Sequence, residues 1–332
     1  MTMKSSRDAQ PVIVTVSTPE DGPPPGLEPI ADQARIVHTT DAEALRGAIG
    51  EADILMVTDF RTTIVRDAWA GAAKVQWVHA TSAGVDAILF PELVDSDVPV
   101  TNARGIFDRP IAEYVLGLIL AYAKDLPHTL DLQRARHWKH RDTERIEGRQ
   151  VLVVGAGSIG RAIARMLNAA GMQVTGVARH AREQDADFRA VHAVESLPGL
   201  LAEADYVVVA TPLTPQTRGL FDREAFGCMK PSARFINIGR GPIVKTADLL
   251  EALRAQAIAG AALDVFEQEP LPADHPLWDT PGVIVSAHMA GDFLGWREAL
   301  SAQFIDNFQR WRRGEPLQNI VDKRRGYVPV KE

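Results

Sequence analysis

The stretch VLVVGAGSIGR, Val151 to Arg161, decides the fold. An apolar strand, Val151 to Val154, runs into the glycine loop Gly155-Ala156-Gly157-Ser158-Ile159-Gly160, and a helix-like segment, RAIARMLNAAG, follows. Strand, glycine loop and helix in that order are the context a dinucleotide-binding fingerprint demands. Gly155 permits the tight turn, Gly157 lets backbone amides approach a pyrophosphate, and Gly160 lets helix pack on strand, with the positive helix end facing the phosphates. Alone, the loop implies only that a dinucleotide binds.

On both sides of the loop, β-like runs alternate with helical segments. Val12 to Val16, Arg35 to His38, Ile54 to Val57, Val75 to Val78 and Val98 to Val100 form one series. Val151 to Val154, Val174 to Val177, Tyr206 to Val209, Arg234 to Ile238, Gly260 to Leu263 and Val283 to Ser286 form a second. This is a parallel α/β rhythm, started twice. A long helix begins near Arg109 and runs through AEYVLGLILAYAK, a polar segment from His128 to Arg149 follows, and the domain crossing is placed there. The last helix, about Arg297 to Arg313, carries Leu300, Phe304, Phe308 and Trp311 at helical spacing, and the first domain is expected to bury them. The stretch PEDGPPPG, Pro19 to Gly26, reads as a rigid surface loop.

A chain of 332 residues is long enough for two domains, each with its own core. A hydrophobic content of 46% and a net charge of -7 fit a globular protein without the basic excess that nucleic acid or anionic lipid would require. The N-terminal MTMKSSRDAQ lacks an apolar core of signal-peptide length, and the apolar stretch Tyr114 to Tyr122 is too short to span a bilayer, so a cytoplasmic location is expected. Cys228 is the only cysteine, which excludes an internal disulfide and a multi-cysteine zinc site. His137 and His140 lack the further ligands a metal would need, and no metal site is expected.

The strand after the glycine loop, QVTGV, should end at the residue that reads the adenosine ribose, usually Asp or Glu for NAD. Ala178 stands there, followed by Arg179, His180 and Arg182, with no carboxylate before Glu183. An acid would repel a 2′-phosphate, whereas Arg179 can fork onto it, so NADP(H) is expected over NAD(H). Downstream lie Arg240 in INIGRG, Glu269 in DVFEQEP and His288 in SAHMAG, each at the end of an apolar strand-like run. Reducing a keto group puts negative charge on its oxygen as hydride arrives, so the site needs a proton donor and a fixed cation. His288 is the donor candidate, Glu269 the carboxylate that keeps an imidazole charged and oriented, and Arg240 the fork for a substrate carboxylate.

At these residues the chain resembles the D-isomer-specific 2-hydroxyacid dehydrogenase family. The resemblance rests on HATSAGVD (79–86), VTNARGIFDRPIAEYVLGLILA (100–121), VVGAGSIGR (153–161), ATPLTPQTRGL (210–220), INIGRGPIV, ALDVFEQEPL and SAHMAG. It implies two doubly wound parallel-sheet domains, a Rossmann domain over 106–294 inserted into a flavodoxin-like substrate domain formed by 1–105 and 295–332, with the active site in the cleft between them. It gives Arg240, Glu269 and His288 the roles argued above. Ser82, Ala83 and Gly84 match the loop whose backbone amides hold the substrate carboxylate. Ser158 and Ile159 match the phosphate-facing tip, Thr211, Pro212 and Thr217 the loop lining the cofactor, Ile238 and Gly239 the nicotinamide end, and Asp264 the acid that meets the carboxamide.

Phe293 and Trp296, in MAGDFLGWREAL, depart from the pattern and are candidates for limiting substrate size. Phe60, Arg61 and Arg104 sit on loops that could face the cleft, although exposed loop charges are the plainer reading. Trp138, in RARHWKHR, resembles the family's dimer arm, so a homodimer is expected. These features point to an NADPH-preferring reductase of small 2-keto acids such as glyoxylate or hydroxypyruvate. The alternatives are a dehydrogenase of a bulkier D-2-hydroxy acid and a cofactor-sensing binding protein like the C-terminal binding corepressors. Glu269, where the formate dehydrogenase branch is expected to carry Gln, disfavours that branch.

Overall fold

Strands that are apolar on both faces need helices on both faces, and the chain supplies them by returning through a helix between parallel strands. The computed structural model describes residues 10–58 and 63–329, with Thr63 described for its backbone alone. The chain divides into two compact units, with the breaks after Ile106 and after Asp292. Phe60 and Arg61 lie outside the described residues.

The first unit is built on β1 (Val12–Val16), β2 (Arg35–Thr39), β3 (Ile54–Val57), β4 (Trp77–Ala80) and β5 (Val100–Thr101), paired in the order β2-β1-β3-β4-β5, all parallel. This is the flavodoxin-like order. Alternation along the strands divides the core in two. Val14, Val16, Leu55, Val57 and Val78 pack with residues of α1 (Ala42–Ala48), α2 (Thr63–Ala68) and α3 (Pro91–Asp95). Ile13, Ile54, Met56 and Trp77 meet Phe304 and Phe308 from the closing helix α10 (Trp296–Arg313). The aromatic stripe read in the sequence is therefore buried within this unit, Trp77 stacking on Phe304 at 5.1 Å.

The second unit carries β6 (Gln150–Val154), β7 (Gln173–Ala178), β8 (Val191–Ala193), β9 (Tyr206–Val209), β10 (Arg234–Asn237), β11 (Gly260–Leu263) and β12 (Val283–Val285). The order β12-β11-β10-β9-β6-β7-β8, all parallel, is the doubly wound dinucleotide-binding order with one further strand. Val151 and Val153 pack against α4 (Asp108–Ala123) and α6 (Ser158–Ala169). Leu152 and Val154 face the opposite layer of α7 (Leu197–Glu203), α8 (Arg223–Gly227) and α9 (Thr246–Arg254). Helix α5 (Leu126–Arg134) buries none of its residues. Among the described residues no helix is long and apolar enough to cross a membrane.

Two strands begin later than their apolar runs. The Val75 N–H closes a turn onto Ala72, so pairing in β4 starts at Trp77. Pro99 has no N–H to give a ladder, and β5 starts at Val100. Strand β8 is not visible in the sequence because Val191-His192-Ala193 makes no apolar run: only Val191 of the three is buried.

His79 lies on the α10 face of β4, fully buried, with Nδ1 2.8 Å from the Thr101 hydroxyl. Burial pushes its pKa down to about 3. An exposed histidine in the unfolded chain takes up a proton near pH 6.5, so below that pH the unfolded state binds more protons than the folded one. This contribution to stability is complete above about pH 6.5 and is lost as pH falls toward 3, by up to about 1.4 kcal/mol per pH unit. Urea midpoints between pH 7 and 4 should therefore fall less steeply for His79→Gln than for the native chain; parallel falls would clear His79.

Candidate active site

The glycine loop joins β6 to α6, and each glycine answers a measurable constraint. A Cβ on Gly160 would stand 1.8 Å from the Gly155 carbonyl oxygen, and one on Gly155, whose φ is +116°, would stand 2.6 Å from the Ala210 and Thr211 backbone. Around a Cβ on Gly157, the N-cap of α6, there is nothing within 4 Å. The loop thus offers an open ledge at a positive helix end, which fits the pyrophosphate of a dinucleotide. Ile159 packs on the α4–α6 side of the core. The Ser158 hydroxyl donates to Asp108 at 2.6 Å, so the first residue of α4 holds the tip of the loop. After β9, the Thr217 hydroxyl donates to the Pro212 carbonyl at 2.7 Å and accepts from the Thr214 N–H at 2.8 Å, closing the loop that begins at Thr211.

At the end of β7, Arg179 and His180 are exposed. The loop that follows is tied to α6. Arg161 forks onto Asp185 at 2.8 and 2.7 Å and reaches Asp187 at 3.0 Å, while Arg165 meets Asp187 at 3.1 Å. Asn168 donates to the Asp187 carbonyl at 2.7 Å. Burial pushes the Asp185 carboxyl up, but the Arg161 fork, the Asp187 N–H and the charges of Arg161 and Arg182 outweigh it and hold the pKa at about 2. This cluster was missed in the sequence; the available signal was Arg161, Arg165 and Asn168 at i, i+4 and i+7 on one helix face.

Arg240, Glu269 and His288 gather at the ends of β10, β11 and β12. Asn237 shapes the first of these loops, accepting from the Gly239 N–H at 3.0 Å and donating to the Arg240 carbonyl at 3.1 Å. A Cβ on Gly241 would meet the Phe266 backbone at 1.8 Å, so the Arg240 loop lies directly on the segment leading to Glu269. Ile238, just before it, is 8% exposed. Glu269 accepts from the Phe266 N–H at 2.8 Å through Oε1, and its Oε2 is 2.7 Å from His288 Nδ1. Burial raises the Glu269 pKa, but the bonds from His288 and Phe266 and the charges of His288 and Arg240 prevail and hold it below the ordinary value. An ionised carboxylate only accepts, so Nδ1 carries the hydrogen and Nε2 is the atom left to meet a ligand. The side chains of His288 and Glu269 are 32% and 36% exposed, open enough to be reached.

His288 is held in the left-handed region, φ 52°, which is costly for a non-glycine residue. Asp264, 3% exposed, supplies the compensation. Its carbonyl accepts the His288 N–H at 2.8 Å, and its carboxylate accepts the Ser286 hydroxyl at 2.6 Å and the Met289 and Ala290 N–H groups at 2.9 Å each. Asp264 is therefore the anchor of the His288 loop, a placement the sequence did not reveal.

In the first unit, Ser82, Ala83 and Gly84 follow β4. Their carbonyls are engaged by Ala103 N–H at 3.0 Å, Asn102 Nδ2 at 2.6 Å and Ser82 Oγ at 2.6 Å, respectively. Arg104 donates to the Val328 and Pro329 carbonyls at 3.2 and 3.3 Å, which makes it a clasp for the C-terminal segment. Phe293 is 37% exposed, and Trp296 begins α10. Among the described residues no three His, Cys, Asp or Glu side chains cluster to hold a metal.

A carboxylate-oriented imidazole, a nearby guanidinium and a dinucleotide ledge along one sheet edge are the parts of a nicotinamide-dependent carbonyl reductase. Residues 116–290 match the family model described as D-isomer specific 2-hydroxyacid dehydrogenase, NAD binding domain. A glyoxylate reductase/hydroxypyruvate reductase from Homo sapiens is 33% identical over 83% of this chain and 85% of its own length. The crystal structure of a D-isomer specific 2-hydroxyacid dehydrogenase family protein from Aeromonas salmonicida subsp. salmonicida superposes with a TM-score of 0.83 at 35% identity, covering 95% of this chain and 100% of that one. That of a D-isomer specific 2-hydroxyacid dehydrogenase from Xanthobacter autotrophicus Py2, in complex with NADPH and MES, gives 0.81 at 33% identity, covering 96% and 100%. With site and sequence in agreement, this chain belongs to the NAD(P)-dependent D-isomer-specific 2-hydroxyacid dehydrogenases.

Proposed function

We propose that the chain reduces a small 2-keto acid, glyoxylate or hydroxypyruvate, to the D-2-hydroxy acid with NADPH. The observation that carries the reading is the 2.7 Å contact between His288 Nδ1 and Glu269, with the Arg240 charge acting on the same carboxylate. The reduced nicotinamide, when bound, supplies the hydride. His288 Nε2 gives the proton to the oxygen as negative charge develops on it, and Glu269 steadies the imidazolium until then. Arg240 forks onto the substrate carboxylate and draws charge toward the carbonyl oxygen, which selects 2-oxo acids. Ser82, Ala83 and Gly84, in the first unit, offer small-residue backbone of the kind that binds a carboxylate.

Gly155, Gly157, Ser158, Ile159 and Gly160 would hold the pyrophosphate, Arg179 the 2′-phosphate, and Thr211, Pro212, Thr217, Ile238, Gly239 and Asp264 the rest of the cofactor. Ala178 at the end of β7 and the exposed Arg179 after it favour NADPH, and the relative from Xanthobacter autotrophicus Py2 is described with NADPH bound. A homodimer belongs to the reading: Trp138 is 98% exposed and Leu126 and Leu130 are nearly half exposed, an apolar display that a second copy of this chain would cover.

Initial rates with glyoxylate, hydroxypyruvate, pyruvate, phenylpyruvate and oxaloacetate, each with NADPH and NADH, test the substrate and the cofactor together. Glyoxylate or hydroxypyruvate with NADPH should give the highest kcat/KM; a preference for NADH or for phenylpyruvate refutes that part of the reading. In the same assays Arg240→Lys, which loses the fork, should raise KM for the keto acid by about 10- to 100-fold and barely change that for NADPH. Glu269→Gln removes the carboxylate that orients the imidazole, so kcat for reduction should fall by about 10- to 100-fold with KM for the keto acid little changed. An unchanged kcat takes Glu269 out of that role. Sedimentation of Trp138→Glu as a monomer, beside a native dimer, would place the interface on this arm.

A further inference from the structure

The loop from Arg179 to Ala190 carries the proposed reader of the 2′-phosphate, yet it also carries Glu183, Asp185 and Asp187. Carboxylates beside a bound phosphate weaken it by like-charge repulsion. In this chain Asp185 and Asp187 are withdrawn from solvent, their side chains 3% and 12% exposed, against guanidinium groups from α6. Among the described residues Arg161 alone touches both carboxylates, and its guanidinium lies 5.9 Å above the Phe188 ring. That ring packs against Gly176 of β7, where a Cβ would stand 3.0 Å from it. Arg165 makes the second pair with Asp187, and Arg182 stands 3.2 Å from Asp185. The helix that presents the pyrophosphate ledge therefore also neutralises and pins the loop next to the ribose end.

We propose that Arg161, assisted by Arg165, is a specificity-determining positioning residue that neutralises Asp185 and Asp187 and so lets the loop accept a 2′-phosphorylated cofactor. The proposal rests on the NADPH reading above and adds residues that do not touch the cofactor. A clamp that only stabilised the fold would act on NADPH and NADH alike. A clamp that neutralises charge acts on the one carrying the extra phosphate.

Dissociation constants of NADPH and NADH, measured by calorimetry on the purified full-length chain without substrate, provide the readout. Arg161→Met keeps most of the apolar stem and withdraws the cation shared by both carboxylates, leaving Asp187 with Arg165 and Asp185 with Arg182. The ratio of the NADH to the NADPH dissociation constant should fall about tenfold, chiefly through weaker NADPH binding. Adding Asp185→Asn and Asp187→Asn to Arg161→Met removes the released charges and should bring the ratio back to within about threefold of native. Arg165→Met, at a more exposed position that pairs with Asp187 alone, should shift the ratio the same way by a smaller amount and serves if the Arg161 variant does not fold. Equal weakening of both cofactors, or no recovery with the two Asn substitutions, overturns the proposal. Arg179→Ala in parallel separates the two ideas. If it leaves the ratio unchanged while Arg161→Met lowers it, the Arg179 reading fails and the neutralising role stands; the converse sinks the neutralising role alone.

Discussion

Parallel pairing is the constraint from which the rest of this structure follows. When every strand of a sheet points the same way, every strand delivers its following loop to the same edge. The seven-stranded sheet thus lines up the glycine loop after β6, Arg179 after β7, Thr211 after β9, Arg240 after β10, Asp264 and Glu269 after β11 and His288 after β12. The order of strands reverses between β6 and β9, and there the two loops part to opposite faces. At that point Gly155 lies against the Ala210 backbone, too close for any side chain. Gly155 and Ala210, distant in sequence, become neighbours because topology leaves their loops nowhere else to go.

Much of this was legible in the sequence, and the legible parts share a cause. Where backbone meets backbone, as at Gly155, Gly160 and Gly241, geometry permits one residue type, and the requirement is written into the chain. Strands buried on both faces read as apolar runs for a similar reason. The imidazole and carboxylate that meet at His288 and Glu269 were readable because the proposed reduction of a carbonyl calls for those groups. Other features could not be read. The Asp264 carboxylate holding three donors, the Asp108 bond to Ser158, and the Asp185 and Asp187 pairs all join residues whose proximity arises only after the chain has folded back. A lone acid in a loop looks the same whether it is solvated or buried.

Those buried acids show how the second unit uses charge. Desolvating a carboxylate is expensive unless its oxygens find donors, and removing a partner leaves an uncompensated charge worth about 3–5 kcal/mol. Asp264 meets that condition with donors from the loop after β12, and Asp185 with the Arg161 fork from α6 and the Asp187 N–H of its own loop. Each therefore acts as a joint, drawing a loop into one place because any other arrangement would strand a charge. Glu269 differs in being partly open, which leaves its charge available to chemistry and not only to architecture.

The left-handed backbone at His288 bears on how substitutions there can be interpreted. Residues whose short polar side chains tolerate that conformation, Asn and Asp above all, inherit the loop with little distortion, whereas β-branched residues oppose it. An alanine at 288 would remove the imidazole and burden the backbone together, and the Asp264 cradle would share the cost. Asn keeps the turn and discards only the ring, making it the substitution whose kinetic deficit isolates the proposed proton donor. The position thus constrains drift as well as chemistry: few neighbouring residue types would leave the loop intact, so loss of the histidine would tend to unsettle its surroundings as well.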